Sequence, residues 1–191
     1  MNDAITGLLQ AAGRGEDDAR QRLFQLLYDE LHRCAHRQLR KAGDHTLSTT
    51  ALVHETYLKL AGGNTLDASS RAHFMALAAR AMRQVLIDHA RRVQAEKRGG
   101  GLQVVTLDEH LPERTDTAVD VLALDQALSQ LESVDDRAAR VVQWHFFGGL
   151  SFAEIAQIEG LTVRTVLRDW QAARALLALE MRQGGGSGHS A

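Results

Sequence analysis

The chain has 191 residues, of which 45% are hydrophobic, 24% charged and only 5% aromatic, values typical of a soluble globular protein. Few aromatic residues and a single proline, Pro112, disfavour an all-β sandwich or barrel. A formal net charge of −2 excludes a uniformly basic nucleic-acid-coating protein, although it allows a local basic patch. The lone Cys34 excludes an intrachain disulfide or a multi-cysteine metal site, as in a reducing compartment. Since neither a secretory leader nor a membrane span is recognisable, we expect a cytoplasmic protein that does not bind membranes.

Hydrophobic periodicity predicts helices throughout the first half of the chain. Leu8 and Leu9 predict a short helix that ends at the glycines after it. A long helix over Glu16–Leu39 follows, with apolar residues at about every fourth position. Ala51–Leu60 predicts a short amphipathic helix, and Arg71–Arg98 predicts a long helix that ends at three consecutive glycines. The apolar residues of the Glu16–Leu39 helix are Leu23, Leu27, Leu31, Ala35 and Leu39.

The hydrophobic pattern in the second half of the chain predicts a separate helical unit. Residues 99–118 contain Pro112 and have little periodicity, so we expect a flexible acidic linker there. We therefore predict an all-α protein with two small helical domains, residues 1–98 and 119–183, and a disordered glycine-rich tail over residues 184–191. The four helices predicted after the linker are Val119–Val134, Asp136–Phe147, Ser151–Glu159 and Thr162–Arg182.

Charge is segregated along the chain. Residues 71–98 carry a net charge of +5, whereas residues 105–136 carry a net charge of −8. The near-neutral total therefore hides a basic helix followed by an acidic segment. Such asymmetry indicates a polyanionic partner for the basic part, although solvated helix faces would give the same pattern.

The last two predicted helices have the spacing of a helix-turn-helix. Ser151 and Glu154 form a capping-box sequence, Gly160 stands where the chain must turn, and Thr162 can cap the next helix. Arginine suits guanine edges and phosphates, so a polar face on the second helix is a candidate DNA-reading surface. An ordinary helical hairpin with surface arginines remains an alternative. The predicted inner face holds Val163, Val166, Trp170, Ala173 and Leu177, and the polar face holds Arg164, Thr165, Arg168 and Gln171.

The basic helix at residues 71–98 separates into two faces. At about 100° per residue, its polar residues fall within one arc, opposite a buried face that includes Phe74 and Val85. Such a stripe suits a nucleic-acid backbone, although most basic stripes are only solvated surface. The stripe consists of Arg80, Arg83, Gln84, Arg91, Gln94 and Arg98.

Three separated motifs resemble one known family. They are LVHETYLKL at residues 52–60, FMALAARAMRQVLIDHARRVQAEKRGG at residues 74–100, and LSFAEIAQIEGLTVRTVLRDWQAARALL at residues 150–177. In this order they resemble extracytoplasmic-function (ECF) RNA polymerase sigma factors of the sigma-70 family. The endings of the second and third motifs resemble, more narrowly, the subfamily often encoded near serine/threonine kinases.

The resemblance implies that residues 1–98 bind core RNA polymerase and the −10 promoter element, and that the helix-turn-helix binds the −35 element. The acidic connector resembles the segment that threads toward the RNA exit channel. No catalytic residue and no cofactor are implied, because the polymerase performs the chemistry. The implied polymerase-docking residues are His54, Glu55, Leu58 and Lys59. The implied −10 contacts are Asn64, Arg80, Arg83, Gln84, Arg91 and Arg98.

One departure from the family pattern precedes the docking helix. Acidic residues are usual there, but this chain has Ser48, Thr49 and Thr50. Phosphorylation would add about −1.5 to −2 charges at each hydroxyl, at a helix end that favours negative charge. We therefore hypothesise that a serine/threonine kinase switches on polymerase binding; simple helix capping by one hydroxyl is the alternative. An anti-sigma factor is a further candidate partner.

A transcriptional regulator, a metal-binding protein and an enzyme are the alternatives. A transcriptional regulator would use only the helix-turn-helix and would bind a palindrome as a dimer. His32 and His36 could reach one metal ion, but no third ligand is evident, so we predict no metal site. Asp88 and His89 lack a nucleophile or a phosphate loop beside them, so we predict no enzyme.

Overall fold

The computed structural model describes residues 2–42, 47–62, 68–99 and 117–184, and this part of the chain is helical without any strand. All eight helices predicted from periodicity are present, with ends that shift by a few residues. We call α1–α4 the N-terminal half and α5–α8 the C-terminal half. The helices are α1 (Asn2–Gly13), α2 (Asp17–Ala42), α3 (Thr49–Ala61), α4 (Arg71–Gly99), α5 (Thr117–Val134), α6 (Asp136–Phe146), α7 (Phe152–Glu159) and α8 (Val163–Gly184).

The core of the N-terminal half follows the predicted periodicity. The apolar stripe of α2 from Leu23 to Leu39 is buried, as predicted. Leu52 and Val53 of α3 pack into the same core as Phe74 of α4. Helices α2 and α4 each contact the other three helices of the N-terminal half, so these two helices hold it together.

Side-chain caps fix the beginnings of α3, α6 and α7, among other helices. The Ser48 hydroxyl accepts a hydrogen bond from the Ala51 amide at 3.1 Å and begins α3. Asp135 accepts from the Ala138 amide at 2.9 Å and begins α6. Ser151 and Glu154 form the predicted capping box at the start of α7. Each cap satisfies an amide that the helix itself leaves unpaired.

The two halves pack together through the turn between α6 and α7. Cys34 of α2 donates its Sγ hydrogen bond to the Gly148 carbonyl at 3.2 Å. A Cβ atom on Gly148 would lie 2.7 Å from the Trp144 carbonyl oxygen of α6, 3.0 Å from the Ala79 Cβ and 3.1 Å from the Met75 carbonyl oxygen. Gly149 has φ +67°, and a Cβ there would lie 2.0 Å from Nη2 of Arg37. Two glycines are therefore needed for the close approach of this turn to α2 and α4.

Several predictions fall on residues that the structure does not describe. These are most of the predicted linker, including Pro112, the tail after Gly184, the loop residue Asn64, and the side chain of Arg98. The acidic segment is only partly a connector, since Asp125 and Glu132 lie on α5. No helix in the described ranges is both long and apolar enough to cross a bilayer.

Candidate nucleic-acid interface

The outer face of α3 is exposed as the sequence predicts. His54, Glu55, Leu58 and Lys59 all face solvent, and Leu58 keeps 57% of its surface exposed. The opposite face is buried, with the Thr56 hydroxyl donating to the Leu52 carbonyl at 2.7 Å. An exposed leucine between polar and charged side chains is a favourable centre for a protein contact.

Lys59 also links α3 to α4. Its Nζ lies 2.9 Å from Oδ2 of Asp88, and Gln84 donates to the other carboxylate oxygen at 3.1 Å. Partial burial alone would raise the pKa of Asp88, but these two hydrogen bonds outweigh it, and the pKa is lowered. Asp88 is therefore the ionised partner of a lysine at neutral pH, and a general-base role has no support here.

The start of α3 carries three hydroxyls and no acidic residue in its first turn. Ser48 and Thr50 are exposed, and Thr49 is half-buried. Ser48 performs the capping role that was the alternative to modification. The cap does not exclude phosphorylation, because an exposed hydroxyl can serve both purposes.

The polar stripe of α4 is present but incomplete. Arg80, Gln84 and Arg91 are exposed, and Gln94 is partly exposed. Arg83 is different, since it retains only 8% of its surface and faces the C-terminal half. The stripe that is open to solvent in this arrangement thus lacks one of its predicted arginines.

Arg83 is surrounded by acceptors from α5 and α6. Its Nε and Nη2 donate to Oδ1 of Asp125 at 3.0 and 2.7 Å. Its Nη1 donates to Glu132 at 2.5 Å and to the Gln143 side chain at 3.0 Å. Nη2 also reaches the Ser129 hydroxyl at 3.3 Å. These contacts satisfy a buried guanidinium and link α4 to both α5 and α6.

A groove of about 500 Å³ runs between the stripe and the C-terminal half. Arg80, Arg83, Gln84 and Arg91 lie along its α4 wall. Its opposite wall carries Asp125 and Glu132 of α5 and Asp136 of α6, and Arg140 of α6 pairs with Asp136 there. The basic surface therefore faces carboxylates of the same chain.

The helix-turn-helix has the predicted geometry. Gly160 ends α7 at φ +65°, a left-handed conformation that suits glycine. The Thr162 hydroxyl accepts from the Thr165 amide at 3.2 Å and caps α8, and Val166 is buried. Arg164, Arg168 and Gln171 are exposed, while Thr165 is half-buried. The predicted reading face of α8 is therefore open to solvent in this arrangement, and Nη2 of Arg168 lies 3.7 Å from Oδ1 of Asp169.

The prediction for the inner face of α8 is wrong at one residue, Val163. Val163 keeps 43% of its surface exposed. It is the first residue of α8, and helical side chains lean toward the N-terminus, so its side chain extends past the end of the packed region. Val166, Ala173 and Leu177 are buried, and Trp170 is partly buried, as predicted.

Two ion pairs in the C-terminal half were not predicted. Asp169 is 6% exposed and accepts from Nε of Arg137 at 2.8 Å, which raises the pKa of the arginine. Glu159, which stands where an apolar residue is usual, accepts two hydrogen bonds from Arg140 at 2.8 and 3.0 Å. A helical wheel puts Asp169 about 60° from Val166, on the buried side of α8. This position in the sequence could have predicted that Asp169 is buried and needs a partner.

His32 and His36, the two histidines that suggested a metal ion, have different surroundings. The His32 ring lies 5.8 Å from the ring of Tyr28, His36 is exposed, and Cys34 is buried against the turn after α6. Burial raises the pKa of the Cys34 thiol, although Arg37 partly offsets the shift. The described side chains include no group of three or more candidate metal ligands.

Comparison with known proteins identifies the family. The family model for ECF sigma factors matches residues 2–183, and so covers both halves of the chain. A comparison with curated proteins gives no significant match. ECF sigma factors bind core RNA polymerase and promoter DNA to begin transcription, and they are not enzymes. Since the match extends over nearly the whole sequence, from α1 into α8, this chain belongs to the ECF sigma factor family.

Proposed function

We propose that this chain recognises the −10 promoter element through α4 and the −35 element through α8, while α3 docks on core RNA polymerase. The observation that carries the proposal is the coexistence of three exposed polar surfaces on one chain of this family. A regulator that uses only its helix-turn-helix would have no need for the exposed face of α3. Such a subunit would act in the cytoplasm, beside RNA polymerase.

The −35 contact would be made by the exposed face of α8. Arg164 and Arg168 lie one turn apart near the N-terminal end of the helix, and Gln171 follows them. This is the part of a recognition helix that enters the major groove. Thr165 is shared between the helix cap and this face, so we expect it to contact phosphate rather than a base.

The −10 contact would be made by α4 and the loop before it. Arg80, Gln84 and Arg91 are accessible for this role, and Asn64 and Arg98 remain predictions on residues outside the description. Arg83 would contribute only after it leaves its partners on α5. A long polar and basic helix face is suited to the backbone of a separated strand.

Run-off transcription with core RNA polymerase tests the function. We expect transcripts from specific promoters that appear only when this protein is added. Promoters would be found by mapping transcript starts after overexpression. DNA binding and gene repression without core polymerase would instead favour the helix-turn-helix regulator.

We further propose that phosphorylation of Ser48, Thr49 or Thr50 by a serine/threonine kinase promotes docking of α3. This proposal is supported by the first turn of α3, which has no acidic residue although the start of a helix favours negative charge. Aspartate at the three positions should strengthen binding to core polymerase, whereas alanine should abolish activation in cells.

Asparagine at the same three positions is the matched control. Asparagine and aspartate cap helices about equally well, so the two variants differ only in charge. Equal polymerase binding by both would assign these hydroxyls to capping alone. If both variants were equally inactive until a partner protein was removed, an anti-sigma factor would be the regulator instead.

A further inference from the structure

The buried charge of Arg83 holds the two halves together. Its guanidinium is shared by Asp125 and Glu132 of α5, and a side-chain oxygen from Gln143 of α6 completes the set. Removing one partner of a buried ion pair leaves an uncompensated charge and is strongly destabilising. The α5 carboxylates therefore stabilise the packing of the two halves by compensating the buried charge of Arg83.

The carboxylates of α5 face the α4 stripe, the surface proposed to hold nucleic acid. Arg80, Arg83 and Arg91 form one wall of the groove, and α5 with α6 forms the other. A strand that followed the stripe through this groove would need the space that α5 occupies. Carboxylate and phosphate both satisfy a guanidinium through paired hydrogen bonds, so the two ligands exclude each other at Arg83.

Contacts outside the groove support the same closed arrangement. Arg71 of α4, which Glu30 binds within the N-terminal half, donates across the interface to Glu154 of α7 at 2.7 Å. Gln38 of α2 donates to the Phe146 carbonyl at the end of α6. The Gly148 turn adds close packing that involves no charge.

We infer that the acidic face of α5 is an intramolecular competitor of nucleic acid: it pairs with Arg83, closes the C-terminal half over the α4 stripe and keeps the free chain in an autoinhibited state. The inference rests on the proposed use of α4 as a nucleic-acid surface. Binding to polymerase and promoter then requires the halves to separate, which releases Arg83.

The first experiment neutralises the competitor. Asp125→Asn with Glu132→Gln keeps side-chain size and removes both carboxylates. The matched control is Asp29→Asn with Glu180→Gln, which removes the same charge from exposed positions. We expect the first variant to bind fluorescein-labelled oligo-dT about tenfold more tightly than the control, because apparent affinity follows the fraction of open protein. Its radius of gyration in X-ray scattering should also increase.

The second experiment opens the interface without changing charge. Gly148→Ala introduces a methyl group 3.0 Å from the Ala79 Cβ and 3.1 Å from the Met75 carbonyl oxygen across the interface, and 2.7 Å from the Trp144 carbonyl oxygen of its own half, so the turn must shift. Gly7→Ala, at a helical position with no neighbour within 4 Å, is its control. Gly148→Ala should bind oligo-dT more tightly than Gly7→Ala, and circular dichroism verifies that both variants remain helical.

Arg83→Gln identifies the group that is released. When Arg83→Gln is added to the Asp125→Asn and Glu132→Gln variant, most of the gain in affinity for oligo-dT should be lost. An unchanged radius of gyration in both opening variants, or a gain no larger than that of the controls, would overturn the inference. Run-off transcription by the same proteins separates autoinhibition from the proposed sigma factor function. Promoter-specific transcripts, together with unchanged oligo-dT affinity in the opening variants, would overturn autoinhibition and leave the sigma factor function intact.

Discussion

Glu154 contributes to two parts of the structure at once. It completes the capping box of α7 through Ser151, and it accepts a hydrogen bond from Arg71 across the interface between the halves. Partial burial would raise the pKa of this carboxyl, but the hydrogen bonds from Ser151 and Arg71 outweigh it, and the pKa is lowered. Its ionised form therefore stabilises the fold.

The first prediction concerns the pH dependence of this contribution. Glu154→Gln keeps the capping box, because glutamine also serves there, but loses the charge that faces Arg71. We expect the free energy of unfolding at neutral pH to fall by roughly 0.5–1 kcal/mol, as for a partly exposed ion pair.

The difference between wild type and Glu154→Gln should narrow in acid. A lowered folded-state pKa means that the stabilisation is present above the ordinary value of 4.5 and is lost as pH falls below it. Urea unfolding at a series of pH values measures this. A difference that stayed constant down to the acid limit would show that the charge of Glu154 is not its source.

The second prediction concerns Asp169, the buried acid of α8. Asp169→Asn removes the charge that faces Arg137 and Arg168, and we expect the free energy of unfolding to decrease because the remaining hydrogen bond is weaker. Glu180→Gln removes an exposed charge from the same helix and should change stability little. Equal stability of the two variants would contradict the structural role of the pair.

At the scale of the helix, α8 combines a packed face with a reading face. Arg168 lies on the exposed polar face, while Arg174 lies on another side with its guanidinium 5.8 Å from the centre of the Trp170 ring. The two arginines therefore differ in position but not in charge. This difference allows a matched comparison.

The third prediction uses that comparison. If Arg168 reads a base, Arg168→Gln should weaken binding to a mapped promoter by about 1–3 kcal/mol and relax specificity at one position of the −35 element. Arg174→Gln should leave the sequence preference unchanged. Competition binding with single-base promoter variants measures both effects. The same loss from all promoter variants would make Arg168 a phosphate contact instead.

Helix α4 shows what periodicity can and cannot predict. The apolar spacing predicted the helix and the face that contains Phe74 and Val85, and the exposed positions of Arg80 and Arg91 followed from the same wheel. The burial of Arg83 did not follow, because a wheel describes one helix and not the helix that covers it. Ala79, Leu86 and Ala90 share a second apolar line with Arg83, and that line was the missed signal.

Ion pairs between distant residues could not be predicted for the same reason. Partners such as Arg83 and Asp125 are 42 positions apart and meet only because α5 folds back onto α4. Local propensity and capping determine where helices begin and end, so these were predictable. Long-range pairing depends on tertiary packing, which a single sequence without contacts does not specify.

At the scale of the whole molecule, the two halves share one continuous apolar core. Residues from α1 to α8 belong to a single buried cluster, and α4 contacts α5, α6 and α7. The predicted pair of helical domains thus meets along an extensive interface in this arrangement. A shared core favours cooperative unfolding.

The fourth prediction follows from where the tryptophans lie. Both of them, Trp144 and Trp170, are in the C-terminal half, so their fluorescence reports that half, whereas far-ultraviolet circular dichroism reports all the helices. We expect the two signals to give the same urea midpoint. For the Asp125→Asn and Glu132→Gln variant, we expect the midpoints to separate. Distinct midpoints in the wild type would show that the halves unfold independently.

The position of Cys34 makes the resting equilibrium directly measurable. This thiol is the only one in the chain, and in the closed arrangement it is covered by the turn that contains Gly148. Its raised pKa slows reaction with a disulfide reagent, and burial prevents access. The rate at which the native protein reacts with the reagent therefore measures how often the halves separate spontaneously. No dye or engineered cysteine is required.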